Sequence, residues 1–267
     1  MPSAAALRLQ IESSLERRYP AALTPIPRTY RETAPTHIPA VDRLLDGGLP
    51  IGAISEITGP VSSGRTSLTL AFLAARTQED RVCAWVDLSD AFDSESAAVN
   101  GVILRQLLWV RLSNPNPAAR QKSLRSNDSS HGSTNPIFSA LDQALRATDL
   151  LLQAGGFSTI VLDLGSISPE HGKRIPLATW FRYRQAADRT RCSLLVLAQQ
   201  PLAQSSAAVV LECTPLNRTE PSQTVLTGAT FQVSSGRQRF SPFLSGQRKP
   251  PASTWSATSA AQREATA

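Results

Sequence analysis

Short apolar runs alternate with amphipathic stretches along the middle of the chain. The runs that predict strands are 52–58, 82–87, 101–104, 157–163 and 193–199. Helical spacing of apolar positions is found at 41–45, 137–154 and 176–190. This alternation predicts an α/β fold with a mostly parallel central sheet flanked by helices. Three later runs, at 207–213, 224–227 and 229–234, predict antiparallel edge strands.

The two ends and one internal stretch lack this alternation. Residues 4–18 predict an amphipathic helix, with Leu7, Ile11 and Leu15 on one face, and a proline-rich connector follows it. We therefore predict a helix and linker at 1–35, a core at 36–245 with a flexible insertion at 113–135, and a disordered tail at 246–267.

A glycine-rich motif lies between the first core strand and the helical pattern that follows it. Residues 59–66 read Gly-Pro-Val-Ser-Ser-Gly-Arg-Thr, which is a phosphate-binding loop with arginine in the place of lysine. Arginine is longer and forked, so this replacement changes how the loop meets a phosphate. The residues predicted to bind a nucleotide, ATP or ADP, are Gly59, Ser62, Ser63, Gly64, Arg65, Thr66, Ser67 and Asp163.

Asp163 enters this set because it ends the apolar run at 157–163. An aspartate in that position is the Walker B pattern, and its carboxylate would orient Mg²⁺ together with the Thr66 hydroxyl. The alternative interpretation is an aspartate that caps a turn at the end of a strand.

Composition narrows the class of protein only slightly. The 267 residues carry a formal net charge of +6 and a pI near 9.8, which allows an anionic partner without identifying one. Cys83, Cys192 and Cys213 show no paired spacing and predict buried free thiols in a reducing compartment, the cytoplasm. We expect no membrane span, and the three histidines have no metal-ligand spacing.

The segment around the glycine loop resembles the RecA family of recombination ATPases. The resemblance rests on residues 46–70, on Trp85-Val-Asp-Leu-Ser-Asp-Ala-Phe-Asp93, on the Walker B strand and on Val196-Leu-Ala-Gln199, and it covers roughly residues 36–235. It implies a RecA-like core with a nucleotide site, and it places the DNA-sensing glutamine of the family on Gln199.

The departures from the family pattern affect its catalytic features. The position of the catalytic glutamate reads Ser89, with Asp90 beside it, and serine cannot act as a carboxylate. The adenine-stacking tyrosine falls near Ser96. Only residues 200–206 replace the second mobile DNA loop. The resemblance therefore implies weak hydrolysis or none.

A degenerate RecA-like chain with this layout is similar to the ImuA family of bacterial DNA-damage mutagenesis cassettes. That resemblance implies a non-catalytic accessory role in the SOS response and translesion synthesis. The implied partners are an ImuB-like protein and an error-prone DnaE-type polymerase, with RecA, single-stranded DNA and a second copy of the chain as further candidates. Two alternatives are an active DNA-dependent ATPase of recombination and repair, and a division inhibitor similar to SulA.

Basic residues are concentrated between the Walker B strand and the strand that follows it. The candidates for DNA binding are Lys173, Arg174, Arg182 and Arg189. Arg182 and Arg189 are seven residues apart and share a helix face. An ordinary solvated helix face explains the same pattern equally well.

Overall fold

The computed structural model describes residues 29–112, 136–218, 228–241 and 252–258. An eight-stranded sheet forms its centre, in the order β12-β10-β9-β4-β8-β7-β5-β6. The strands are β4 (Ile54–Thr58), β5 (Cys83–Asp87), β6 (Leu107–Arg111), β7 (Thr159–Asp163), β8 (Ser193–Ala198), β9 (Ala207–Arg218), β10 (Gly228–Gln238) and β12 (Ala252–Thr258). Six neighbouring strands are parallel to one another, namely β9, β4, β8, β7, β5 and β6. Strands β10 and β12 extend the sheet beyond β9 and pair antiparallel. This arrangement confirms the predicted fold class.

Helices cover both faces of the sheet. They are α1 (Pro39–Leu45), α2 (Arg65–Gln78), α3 (Ser94–Val99), α4 (Pro136–Ala154), α5 (Pro169–Gly172) and α6 (Leu177–Thr190), with short 3₁₀ turns at Leu104–Gln106 and Gln204–Ser206. Strand β5 shows why two layers form. Trp85 packs into the cluster that contains α1 and α2, and Val86 packs into the cluster that contains α4 and α6. Neighbouring residues of a strand face opposite sides, so a central strand buried on both faces is apolar throughout.

Two short strand pairs tie the beginning of the described chain to the core. Strand β1 (Thr29–Tyr30) pairs in parallel with β11 (Phe240–Ser241), and β2 (Thr33–Ala34) pairs antiparallel with β3 (Leu49–Pro50). Two ion pairs connect the same segment to the C-terminal end of α6: a partly buried pair of Arg31 with Asp188 and an exposed pair of Arg191 with Glu32. Residues 29–34, which the sequence placed in the linker, are therefore attached to the core.

Two further predictions are corrected by the structure. Residues 101–103 do not form a strand; they lead into the 3₁₀ turn, and the strand is Leu107–Arg111. The tail at 246–267 is not disordered throughout, because Ala252–Thr258 pairs antiparallel with β10 over seven residues. The serine- and threonine-rich sequence hid this strand, since only Trp255 is large and apolar. The helix predicted at 4–18, the insertion at 113–135 and the run at 224–227 lie outside the described residues.

Several smaller expectations can also be compared with the structure. The three cysteines are buried and free, as predicted. The described residues contain no group of three or more His, Cys, Asp or Glu side chains that could hold a metal ion. None of the described helices is both long and apolar enough to cross a membrane.

Candidate nucleotide site

The glycine loop joins the end of β4 to the first residue of α2, and its conformation depends on its small residues. Gly59, Ser62 and Gly64 have positive φ angles of 149°, 60° and 88°. A Cβ atom on Gly59 would lie 2.2 Å from the carbonyl oxygen of Cys213, so no other residue fits there. The loop therefore packs directly against the backbone of β9.

An aromatic ring covers Gly64 from the antiparallel side of the sheet. A Cβ atom on Gly64 would lie 2.7 Å from the ring of Phe231, and Phe231 stacks on Trp255 with ring centroids 4.9 Å apart. A cleft of about 390 Å³ opens between the loop and strands β9 and β10. Its lining consists of Ser62, Ser63, Gly64, Arg65, Thr66, Ser67, Pro215, Ala229, Thr230 and Phe231. The loop residues predicted from the sequence are thus gathered around one cleft, with the exception of Gly59.

Three features at this cleft suit a phosphate group. The 14-residue helix α2 begins at Arg65, so its unpaired backbone N–H groups and the positive end of its dipole face the loop. The hydroxyl of Ser63, a residue that is 1% exposed, is buried and has no hydrogen-bond partner among the described residues. The Nη1 atom of Arg65 is also buried, and that part of the chain gives it no partner either. Buried polar atoms are normally paired, and an anion in the loop would supply partners for both.

The Arg65 side chain reaches the end of β7, where the Walker B aspartate lies. A Cβ atom on Gly165 would lie 3.2 and 3.3 Å from the two Nη atoms of Arg65, and 3.1 Å from Oδ1 of Asp163. The guanidinium and the carboxylate therefore border the same small space beside Gly165. Oδ1 of Asp163 also accepts a hydrogen bond from the Gly165 N–H at 2.9 Å, which is the turn-capping role that the sequence left open.

Burial dominates the electrostatics of these two groups. It raises the pKa of Asp163, and the negative charge of Asp87 adds to the rise, whereas the Gly165 N–H and the charge of Arg65 oppose it. Burial lowers the pKa of Arg65, and the nearby Asp163 opposes that change. Each charged group is thus stabilised by the other.

Asp87, at the end of β5, lies in register with Asp163 on the neighbouring strand. It is fully buried and accepts hydrogen bonds from the backbone N–H groups of Ser89, Ala91 and Phe92 at 3.2, 3.1 and 2.9 Å. The carboxylate therefore shapes the turn that carries Ser89.

The only carboxylate adjacent to Ser89 in the sequence is already paired. Asp90 accepts two hydrogen bonds from Arg111, both of 2.8 Å, and the Arg111 guanidinium lies 4.7 Å above the ring of Trp109. The hydrogen bond from Arg111 lowers the pKa of Asp90. A carboxylate held in a bidentate pair is a weak base, so Asp90 is a poor substitute for the family's glutamate.

Ser96, near which the family's adenine-stacking tyrosine falls, is also unsuited to stacking on a base. Ser96 is exposed in α3, and its hydroxyl donates to Asp93, which caps the helix by accepting the N–H groups of Glu95 and Ser96. The side chain thus serves the helix end and offers no flat surface for a base.

Gln199, the predicted DNA-sensing glutamine, directly follows β8, and its Nε2 donates to the carbonyl of Gly165 at 3.3 Å. The loop that follows is fastened to the sheet. Oε1 of the fully buried Glu56 accepts the N–H groups of Leu202 and Ala203. From the other side, Arg237 and Arg239 donate to the carbonyls of Gln204 and Ser205. Where relatives are expected to carry a mobile DNA loop, this chain has a short and tied one.

The four basic residues lie apart from the cleft, on and before α6. Arg182 pairs with Asp149 at 3.1 Å, which offsets its charge. Lys173, Arg174 and Arg189 are exposed. Of two adjacent aromatic residues on the same helix, Trp180 is buried, whereas the ring of Phe181 is 50% exposed.

The cleft fits a nucleotide phosphate better than it fits Mg²⁺. The backbone geometry and the two unpaired buried groups suit an anion. The Thr66 hydroxyl and the Asp163 carboxylate are the expected magnesium ligands, but the guanidinium of Arg65 lies beside that carboxylate. A fixed cation that borders the same space as the carboxylate disfavours a second, divalent one.

Fold and loop together define a class, the RecA-type recombinase fold. The structure is similar to the crystal structure of the RadB recombinase, with a TM-score of 0.53 and 16% identity over 83% of this chain and 93% of that one. Residues 28–124 match the family model of the RecA N-terminal domain.

Two curated relatives make the relationship more specific. The RecA protein of Ruegeria pomeroyi is 34% identical and that of Colwellia psychrerythraea 32% identical, each over 125 residues. These matches cover 46% of this chain, and 28% and 29% of the two RecA proteins. The chain therefore spans less than a third of the length of these relatives, and the matches support a RecA-like relationship for that part.

Sequence reasoning missed several residues that shape the site. Glu56 gave a signal, because a charged residue in the apolar strand 54–58 is unusual and indicates a buried partner. Phe231 and Pro215 gave none, since their approach to the loop depends on the register between β9 and β10. The Asp90–Arg111 pair likewise depends on β5 and β6 being neighbours.

Proposed function

We propose that this chain is a RecA-like accessory protein that binds a nucleotide without turning it over efficiently. In this role it would join an error-prone polymerase complex in the bacterial response to DNA damage. The partners that we propose are an ImuB-like protein and a DnaE-type polymerase, as the resemblance to the ImuA family implies. RecA and single-stranded DNA are secondary candidates.

One observation carries the proposal. The turn after β5 offers no free carboxylate for activating water, because Ser89 occupies the catalytic position and Asp90 is held by Arg111. Removing a general base costs roughly 10²–10⁴-fold in rate. The loop geometry described above suits a phosphate group, which supports a chain that binds a nucleotide without hydrolysing it.

The proposal predicts that ATP hydrolysis by the purified protein stays near background with or without single-stranded DNA. A RecA protein assayed in parallel is the positive control, and Asp163→Ala is the site-directed one. DNA-stimulated turnover that Asp163→Ala abolishes would contradict the proposal and favour an active recombination ATPase. Binding of labelled ADP, measured separately, reports whether the cleft is used at all.

A further inference from the structure

We propose that Arg65 takes the place of the magnesium ion, so that this cleft binds nucleotide phosphates without a divalent cation. The inference rests on the proposed function, since it specifies how the same cleft holds its ligand. It predicts that the bound species is the free nucleotide anion.

The position of the guanidinium is the first support. In a phosphate-binding loop of this kind, a metal is held between the hydroxyl that begins the helix and the Walker B carboxylate. Here those groups are Thr66 and Asp163. The Nη atoms of Arg65 border the space beside Gly165 that Oδ1 of Asp163 also borders. A magnesium ion in that place would thus lie next to the permanent positive charge of Arg65.

The hydrogen-bonding state of Arg65 is the second support. The described structure gives its buried Nη1 no partner, although Asp163 lies close by. An arginine that served only to neutralise Asp163 would form a direct bidentate pair with it, as Arg111 does with Asp90. The unused donor is available to a phosphate oxygen, for which the guanidinium fork is well shaped.

Ser63 provides an independent indication of the ligand. Ser63 lines the cleft, and its buried hydroxyl has no partner in the described structure. A phosphate oxygen in the loop would accept from both Ser63 and Arg65. The neutral hydroxyl of Ser63 and the charged guanidinium of Arg65 would then stabilise the phosphate charge that Mg²⁺ stabilises elsewhere.

The test measures ADP and pyrophosphate binding by calorimetry, in EDTA and in millimolar Mg²⁺. We expect the wild-type dissociation constant to change by less than about threefold between the two conditions. Arg65→Ala should weaken binding in EDTA by roughly 10- to 100-fold, the usual loss for a charge-assisted hydrogen bond. Arg65→Lys should make binding dependent on Mg²⁺, because lysine leaves the space beside Asp163 open. Arg146→Lys, an exposed change on α4, is the matched control.

Two outcomes overturn the inference and separate it from the proposed function. Wild-type binding that requires Mg²⁺ refutes the role of Arg65 but leaves an accessory nucleotide-binding protein intact. Absence of ADP and pyrophosphate binding in both conditions, in protein that unfolds cooperatively, refutes both. Circular dichroism of each variant distinguishes a lost site from a lost fold.

Discussion

The buried carboxylate of Glu56 affects both the loop 200–206 and the stability of the fold. Its carboxylate is fully enclosed, one oxygen holds the loop 200–206 and the other oxygen has no hydrogen-bond partner in the described structure. Burial raises its pKa, against the opposing effects of the Ala203 and Leu202 N–H groups and of Arg237. An ionised carboxylate in this place therefore reduces the stability of the fold.

This charge predicts a pH dependence of stability. A carboxyl group whose pKa is raised by folding costs stability when it is ionised, so stability is gained as pH falls through the folded-state pKa toward about 4.3. Glu56→Gln removes that titration. Relative to the wild type, the variant should be most favoured above the folded-state pKa of Glu56, and its advantage should shrink as the pH falls toward the ordinary glutamate value of about 4.3.

Thermal unfolding of both proteins across this pH range checks the prediction. Glu212→Gln, at an exposed glutamate on β9, is the matched control and should track the wild type at every pH. Parallel curves for wild type and Glu56→Gln would show that the Glu56 charge does not affect the fold.

At the scale of single residues, the sequence indicates candidate positions but not the contacts among them. The loop residues, Asp163 and Gln199 are recognisable because each stands at the end of an apolar strand or in a glycine pattern. The pairing of Asp90 with Arg111 and the cover of Phe231 over Gly64 join residues that are distant in the chain. Local pattern carries no information about such contacts.

Among the elements, strand β12 has the largest consequence for how the chain can be truncated. Trp255 is 9% exposed and stacks on Phe231, which covers the glycine loop. Thr254, Trp255, Ser256 and Ala257 also line a second cleft of about 480 Å³, and Ser67 lines both this cleft and the nucleotide cleft. Sequence reasoning could not find this strand because its polar residues hide the period of two.

Removing β12 should therefore destabilise the core, whereas removal of a disordered tail would leave the stability of the core unchanged. Trp255→Ala should cost about 3 kcal/mol, a typical loss for a large buried aromatic residue. For a domain of this size that lowers Tm by about 2–4 °C for each kcal/mol. Differential scanning calorimetry checks the value, and a chain ending at Thr258 is the control that keeps the strand. An unchanged Tm for Trp255→Ala would mean that β12 contributes little to the fold.

On the scale of the whole molecule, the alternating pattern was sufficient to predict the architecture, because a parallel sheet needs apolar strands and helices on both faces. The order of the strands, and hence which residues share an edge, is a property of the tertiary structure. That is why the fold class is confirmed, whereas the roles of the predicted site residues stay predictions.

Partner binding is the prediction that involves the complete chain. Residues 1–28 precede the first described strand and include Leu7, Ile11 and Leu15, the apolar face predicted at 4–18. Deleting 1–28, with β1 retained, should leave Tm unchanged and weaken capture of an ImuB-like protein and a DnaE-type polymerase. An amphipathic helix docks on a partner through such a face.

Pull-down from purified components measures this effect. The matched control is the full chain with Arg8→Ala and Glu12→Ala, which spares the apolar face. Equal capture by the truncated and full-length chains would place the docking surface on the core. Failure of both to capture either partner would favour the alternative of a division inhibitor.

The fastened loop after Gln199 has a consequence for signalling. Binding at one site changes the affinity of a second site only through a part of the protein that has two arrangements, each preferred by one of the ligands. Residues 202–205 are held by Glu56 from one side and by Arg237 and Arg239 from the other. These hydrogen bonds favour one arrangement of the loop, so we expect it to transmit little of such a preference. The chain would then act as a constant component, whose influence in the cell is set by how much of it is made.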